Sequence, residues 1–143
     1  MGRDLDIKKL KGSIQALKDS VDVYNECNTP NSILNNEKLL KRLRSAIIKD
    51  FEVANEQCWK FMQRWINLNV GPNELKGKFR RELFAVAKEN ALIDDAELWM
   101  GFNEARNSTA HIYDEEIAEE IFETALEFLP HAEKFAETME GNI

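Results

Sequence analysis

The feature that most constrains the fold is a run of apolar residues, from about Asn36 to Asn69, that recurs every three or four positions. This spacing puts the apolar side chains on one face of a single helix, which at ~1.5 Å per residue extends roughly 50 Å. The stripe comprises Leu40, Leu43, Ile47, Phe51, Ala54, Cys58, Phe61, Trp65 and Leu68. A second stripe comprises Trp59, Met62 and Ile66. Because a helix that is apolar on two sides needs more than one neighbour, we expect it to be the spine of a bundle.

Four further segments share the helical period, and no segment alternates for long enough to predict a strand. A first helix begins near Leu10, and Asp114 opens a fifth helix at the acidic end of the chain. A short third helix is marked by Phe79, Leu83, Val86 and Ala87. Asp94 and Glu97 form a capping-box pattern at the start of a fourth helix. We therefore predict an all-α fold, a five-helix up-and-down bundle with antiparallel neighbours.

The composition is that of a globular protein, with 43% hydrophobic and 31% charged residues among 143. We expect one domain over residues 1–143. No apolar run approaches the ~20 residues that span a bilayer, and residues 1–5 lack the apolar core of a secretory signal, so we expect a cytoplasmic protein without a membrane segment. Two cysteines, Cys27 and Cys58, predict no disulfide framework. With two histidines in the chain, no zinc-site spacing exists, so we expect no resident metal or cofactor.

Charge divides the chain into two unequal parts. Residues 1–93 carry 17 Lys and Arg against 12 Asp and Glu, whereas residues 94–143 carry 2 against 14. One interpretation is a solvated acidic face on the last helix. The other is that the acidic helix meets a basic partner while the basic part faces phosphate. The cations at the start of the third helix, between Lys76 and Arg81, are either a small misfit with the helix dipole or contacts for a phosphate-bearing ligand.

The stretch from Arg106 to Tyr113 contains the strongest candidate for chemistry. Arg106 and His111 are five positions apart, so on a continuous helix, at ~100° per residue, they lie about 140° apart. To act together they need a helix end between them or a second subunit. The start signal at Asp114 favours a break shortly after His111. A guanidinium matches phosphate oxygens and an imidazole exchanges protons near neutral pH, which suits metal-independent RNA cleavage. The alternative is that these side chains cap carbonyls or satisfy one another.

The pattern Arg106-Asn107-x-x-x-His111-x-Tyr113 resembles the signature of HEPN domains. It is most similar to the HepT or nucleotidyltransferase substrate-binding type, which pairs with a minimal nucleotidyltransferase. Over roughly residues 40–125 other positions fit the same family pattern. These are Phe51-Glu52, Glu56, Trp59-Lys60, Gly71, Trp99, Asp114-Glu115 and Ala118. The resemblance implies a five-helix bundle that forms a homodimer and binds a separately encoded minimal nucleotidyltransferase, in a heterotetramer or a larger assembly.

The resemblance also implies a function for each motif residue. The chain would be a metal-independent RNase toxin in which Arg106 and His111 are catalytic and Asn107 orients the site. The partner would silence it by adding AMP to Tyr113. The phenol has an ordinary pKa near ~10, so the partner's metal and base would be needed for the transfer.

A second hypothesis is a non-catalytic subunit that binds a nucleotide, RNA or another acceptor for the partner. The residues that would line its cleft are Glu52, Glu56, Trp59, Lys60 and Trp99. Trp59 would stack on a base or, equally, pack in the core. A third hypothesis is a structural helical adaptor with an inert motif.

Overall fold

A computed structural model describes residues 5–143, which form five α-helices and contain no strand. The helices are α1 Lys8–Cys27, α2 Glu37–Asn69, α3 Arg80–Glu89, α4 Ala96–Asn107 and α5 Glu115–Glu140. A 3-10 turn, Ser108–His111, joins α4 to α5. The prediction of an all-α five-helix bundle is confirmed. The expectation for the signal region rests largely on residues 1–4, which lie outside the described chain. Within residues 5–143, no helix is both long and apolar enough to cross a bilayer.

The spine helix α2 follows the predicted stripe closely. Asn36 caps its start, where the side-chain oxygen accepts a hydrogen bond from the Leu39 amide at 2.9 Å. Most of the first stripe is buried, and Met62 and Ile66 of the second stripe are fully covered. Leu68 is the exception, with half of its surface exposed, because it lies in the last turn of the helix. Both cysteines are buried and unpaired, as expected.

The helix directions follow from contacts between side chains. Phe51 packs on Phe128 and Phe61 on Phe135, so α2 and α5 run in the same direction. Trp99 of α4 packs on Phe135, whereas Phe102 packs on Phe128, so α4 is antiparallel to α5.

The α2–α3 junction departs from the antiparallel pattern. α3 is antiparallel to α4, because Arg80 contacts Asn103 and Phe84 contacts Trp99. Since α4 is in turn antiparallel to α5 and hence to α2, α2 and α3 share a direction although they are consecutive. The ten residues 70–79 between them lead the chain back along α2, which places Arg80 beside Trp59.

Two details at the starts of α3 and α4 correct the sequence predictions. Phe79 is not on the apolar side of α3, since it precedes the helix with an extended backbone and is 79% exposed.

The N-cap of α4 is Asp95 rather than Asp94, and its carboxylate accepts from the Leu98 amide at 3.0 Å. Asp94 instead pairs with Lys134 of α5, and that contact lowers the pKa of the Asp94 carboxyl. Glu97 does not reach back to the cap, because it forms an ion pair with Arg81 at 2.5 Å.

Candidate functional site

The α4 helix ends inside the motif, between Arg106 and His111. The Ser108 hydroxyl donates to the Glu104 carbonyl at 3.0 Å, and the Thr109 hydroxyl donates to the Arg106 carbonyl at 2.8 Å. Such local bonds compete with the helical ladder, and the chain tightens into the 3-10 turn. The α-helix therefore ends before His111, earlier than the break that we expected shortly after it.

Asp114 begins α5 as predicted. Its carboxylate accepts hydrogen bonds from the amides of Glu116 at 3.0 Å and Ile117 at 3.3 Å. These two amides belong to the first turn of α5 and have no acceptor within the helix. The cap fixes the point at which the chain leaves the motif.

Arg106 is held against α2 by two carboxylates. Its Nη1 lies 3.1 Å from Glu52 Oε2, and its Nη2 lies 3.4 Å from Glu56 Oε1. Thr109 Oγ1 also lies 3.2 Å from Glu52 Oε2, and Lys60 lies 3.3 Å from the other oxygen of Glu56. The Arg106 side chain is 29% exposed. A phosphate that approached Arg106 would have to displace carboxylates that already neutralise it.

His111 and Tyr113 lie outside this ion-pair cluster and face solvent. The Tyr113 hydroxyl is 3.5 Å from His111 Nδ1, which is the outer limit of a hydrogen bond, and Tyr113 is 80% exposed. Tyr113 forms part of the wall of an open groove of about 580 Å³ between α2 and α5. Lys41, Arg44 and Phe122 line the same groove. The phenol is therefore accessible to another macromolecule.

Trp59 and Lys60 continue the strip of α2 that begins with Glu52. The Trp59 ring is half-buried and is covered by Arg80, whose Cζ lies 3.5 Å from the ring centroid. Arg80 Nε donates to Asn103 Oδ1 at 3.3 Å. Burial lowers the pKa of Arg80, an effect that the more distant Glu56 opposes. The sequence indicated Arg80 only as one member of a basic stretch, and nothing in its spacing pointed to Trp59.

The structure brings together some of the predicted site residues and separates others. One strip of α2 carries Glu52, Glu56, Trp59 and Lys60, and Arg106 of α4 packs against it. Asn107 is exposed beside Asn103 in an adjoining groove. Trp99 is elsewhere, because it is 3% exposed and packs against an aromatic cluster. That cluster comprises Phe84, Phe102, Phe128 and Phe135. The position of Trp99 gives it a packing role in place of the predicted substrate contact.

One buried polar residue of α2 lies on the same side and was not anticipated. Asn55 is three positions after Glu52 and four before Trp59, so the three are neighbours on one helix face. It is 1% exposed, and neither amide atom has a hydrogen-bond partner among residues 5–143. Arg106 Nε is buried and unpartnered in the same way.

Comparison with known proteins places the chain in a family. A protein from Haemophilus influenzae, HI0074, is similar in structure with a TM-score of 0.81 and 21% identity, over 94% of this chain and 99% of that one. Its structure is described as revealing the fold of a substrate-binding domain of a nucleotidyltransferase. A protein from Thermus thermophilus has a TM-score of 0.57 and 25% identity, over 88% of this chain and 97% of that one.

A search of curated proteins returned no match. The family model described as nucleotidyltransferase substrate binding protein like matches residues 5–141. The chain belongs to this family of nucleotidyltransferase substrate-binding proteins.

Proposed function

We propose that the chain is the substrate-binding subunit of a two-component nucleotidyltransferase whose catalytic subunit is encoded separately. The observation that carries the proposal is the family match, which extends over residues 5–141, nearly the whole chain. The exposed Tyr113 beside an open groove supports it, because a partner enzyme needs an accessible acceptor. In this function the bundle presents the acceptor, and the partner supplies the nucleotide and its metal.

Tyr113 is the acceptor that we assign within this subunit. The phenol oxygen attacks the α-phosphorus of ATP held by the partner, which forms an oxygen–phosphorus bond and releases pyrophosphate. The phenol proton goes to a base, and His111 Nδ1, at 3.5 Å, is the nearest imidazole nitrogen to receive it. The product is Tyr113 that carries AMP.

Metal-independent RNA cleavage is the second candidate function. The end of α4 between Arg106 and His111 favours it, since the motif needs such a break before the two can act on one phosphate. The two carboxylates on Arg106 oppose it within one chain. In a homodimer whose two motifs face each other, His111 of one copy would reach a phosphate bound near the motif of the other copy. If this candidate holds, the purified chain cleaves RNA without metal, and both His111→Ala and Arg106→Ala remove the cleavage.

Co-expression with a minimal nucleotidyltransferase from the same genome tests the proposal. We expect a complex in size-exclusion chromatography, and one adenylyl group per chain after incubation with ATP and Mg²⁺, located at Tyr113 by mass spectrometry. Tyr113→Phe should bind the partner but accept no AMP, and Ile112→Ala, an exposed neighbour, should accept it normally. The proposed function would be overturned if no complex formed and if the chain had no effect on AMP transfer by the partner. A complex that is adenylylated at another residue would overturn only the role of Tyr113.

A further inference from the structure

Three arginines in residues 5–143 are half-buried, and they differ in whether a carboxylate neutralises the charge of the guanidinium. Arg44 pairs with Glu37 at 2.6 Å, and Arg106 pairs with two carboxylates of α2. No carboxylate oxygen of residues 5–143 lies within 4.0 Å of Arg80. A partly buried charge without a counter-ion has lost water and gained no ion pair, which is unfavourable. A bound anion would remove this cost.

The contacts of Arg80 hold its guanidinium in place without using its outer donors. The Trp59 ring covers one face of the guanidinium at 3.5 Å, and Asn103 accepts from Nε at 3.3 Å. The two terminal nitrogens have no hydrogen-bond partner within the described chain. Because the plane is fixed by a ring and an amide, less side-chain entropy is lost when these donors meet a ligand.

An open surface groove beside Arg80 has a volume in the range of small-ligand sites. Its volume is about 500 Å³, and its other lining residues are Lys78, Phe79, Arg81, Met100, Asn103 and Asn107. Sites for small molecules and cofactors range from ~300 to ~1,000 Å³. Lys78 adds a second cation that has no ion pair in residues 5–143, whereas Arg81 is committed to Glu97. This concentration of cations contrasts with the net charge of −7 for the whole chain.

Phe79 forms an aromatic surface at the edge of the same groove. It is 79% exposed, because the chain is extended at this residue just before α3 begins. An aromatic face stacks on any nucleobase, because every base has a π-face. The half-buried Met100 and the amides of Asn103 and Asn107 complete a surface with apolar, cationic and hydrogen-bonding parts.

We propose that this groove binds a nucleoside phosphate, with the phosphate on Arg80 and Lys78 and the base on Phe79. The guanidinium can hold two phosphate oxygens at once, while the ring stacks on the base. The anion-binding part rests on the geometry alone, and only the choice of a nucleoside over another anion rests on the proposed function. The same chemistry occurs in a free nucleotide and in a nucleotide within a single strand.

Binding measurements on the chain alone, by isothermal titration calorimetry, test this assignment. The probes are AMP, a short single-stranded oligoribonucleotide, ribose 5-phosphate and inorganic phosphate. Arg80→Gln should weaken AMP binding by about tenfold or more, as expected for the loss of a charge-assisted contact. Arg64→Gln, which removes an exposed charge on α2, should change it by less than about twofold. Melting curves of the two variants check that both are folded.

The same series of measurements tests whether Phe79 binds the base and whether the ligand is a free nucleotide or part of a single strand. Phe79→Ala should weaken AMP by about fivefold or more and leave ribose 5-phosphate unchanged, because only AMP carries a base to stack. Ile33→Ala, at another exposed apolar side chain, should have no effect. Tighter binding of AMP identifies a free nucleotide, and tighter binding of the oligonucleotide identifies a single strand; both uphold the proposal.

Two results would overturn the proposal. One is equal AMP affinity in Arg80→Gln and Arg64→Gln. The other is equal affinity of the wild-type chain for AMP, ribose 5-phosphate and inorganic phosphate, which would contradict a nucleoside ligand. Since the partner enzyme is absent from this assay, such a failure is distinct from failure of complex formation.

Discussion

Arg106 and Arg80 are both half-buried arginines that pack on the same side of α2, yet their surroundings are opposite. Arg106 faces two carboxylates, at 3.1 and 3.4 Å, and ties the end of α4 to the spine helix. Arg80 lies on the Trp59 ring and touches an amide, with no carboxylate of residues 5–143 within 4.0 Å. In the first arrangement carboxylates already neutralise the charge, whereas in the second the terminal nitrogens remain available to a ligand.

The comparison shows why residue type alone does not identify an anion site. The arginine in the recognisable motif is the one whose charge is already neutralised. The arginine in the basic stretch, which has no motif around it, is the one that a phosphate can reach. The two sites are close neighbours, since Glu56, which pairs with Arg106, also acts on the charge of Arg80.

The largest expected effect is on stability when the paired arginine is removed. Arg106→Ala removes the cation between Glu52 and Glu56 and leaves each carboxylate with only a more exposed lysine as counter-ion. We expect a loss of about 2 kcal/mol in the free energy of unfolding, below the ~3–5 kcal/mol of a fully buried pair because the side chain is partly exposed. Arg80→Gln, which breaks no ion pair, should cost less than about 1 kcal/mol. Urea unfolding of both variants measures the difference.

A charge-matched control separates the ion pairs from lost packing. When Glu52→Gln and Glu56→Gln are added to Arg106→Ala, the repulsion between the two neighbouring carboxylates disappears and part of the lost stability should return. Equal losses in Arg106→Ala and Arg80→Gln would contradict the distinction between the two arginines.

The next largest expected effect is the pH dependence of stability that Cys58 causes. This residue lies on the core side of the segment of α2 that Arg106 and Arg80 contact. Complete burial raises the pKa of its thiol well above the ordinary value of ~8.5. The folded state therefore keeps the proton when the unfolded state loses it, so stability is full below pH ~8.5 and falls above it. We expect about 1.4 kcal/mol of loss at pH 9.5 that is absent in Cys58→Ala. Equal pH dependence in the two proteins would show that the thiol is not shielded.

A smaller effect is expected at Asn55, which lies on the same side of α2 as both arginine contacts. Its amide is buried without a hydrogen-bond partner among residues 5–143. Asn55→Leu keeps the branched arrangement of heavy atoms and removes the unpaired polar atoms, so it should raise stability by about 1 kcal/mol. Asn67→Leu, on the exposed side of the helix, should change it by less than about 0.5 kcal/mol. Lower thermal stability of Asn55→Leu would show that the amide has a native partner that matters.

The smallest expected change in stability is that of Tyr113→Phe. The hydroxyl is exposed and makes one long contact with His111, so its removal should alter the free energy of unfolding by less than about 0.5 kcal/mol. The same variant should lose all AMP transfer in the presence of the partner. A large loss of stability would assign the tyrosine to the frame of the bundle in place of the acceptor role.

Local signals in the sequence predicted most of the helices correctly. The period of apolar residues identified α2, and the side-chain cap at Asp114 marked the start of α5. Both signals act within a few residues of chain. The cap of α4 was misplaced by one residue, because Asp94 has a partner on α5, 40 positions away, that no local pattern contains.

The site was harder to predict, because its contacts join distant parts of the chain. The spacing of Arg106 and His111 indicated a helix break, but not that Glu52 and Glu56 would neutralise the arginine. Trp59 and Trp99 look alike in sequence, and only the packing distinguishes the half-buried ring under Arg80 from the core ring beside Phe102.

Arginine side-chain NMR during an AMP titration tests the difference between the two arginines most directly. In ¹⁵N-labelled protein each Nε–H group gives its own signal, assigned by the Arg80→Gln and Arg106→Ala variants. We expect the Arg80 signal to move in a saturable manner while the Arg106 signal stays in place, since its guanidinium is held by α2. Movement of the Arg106 signal with an unchanged Arg80 signal would contradict this account of the site.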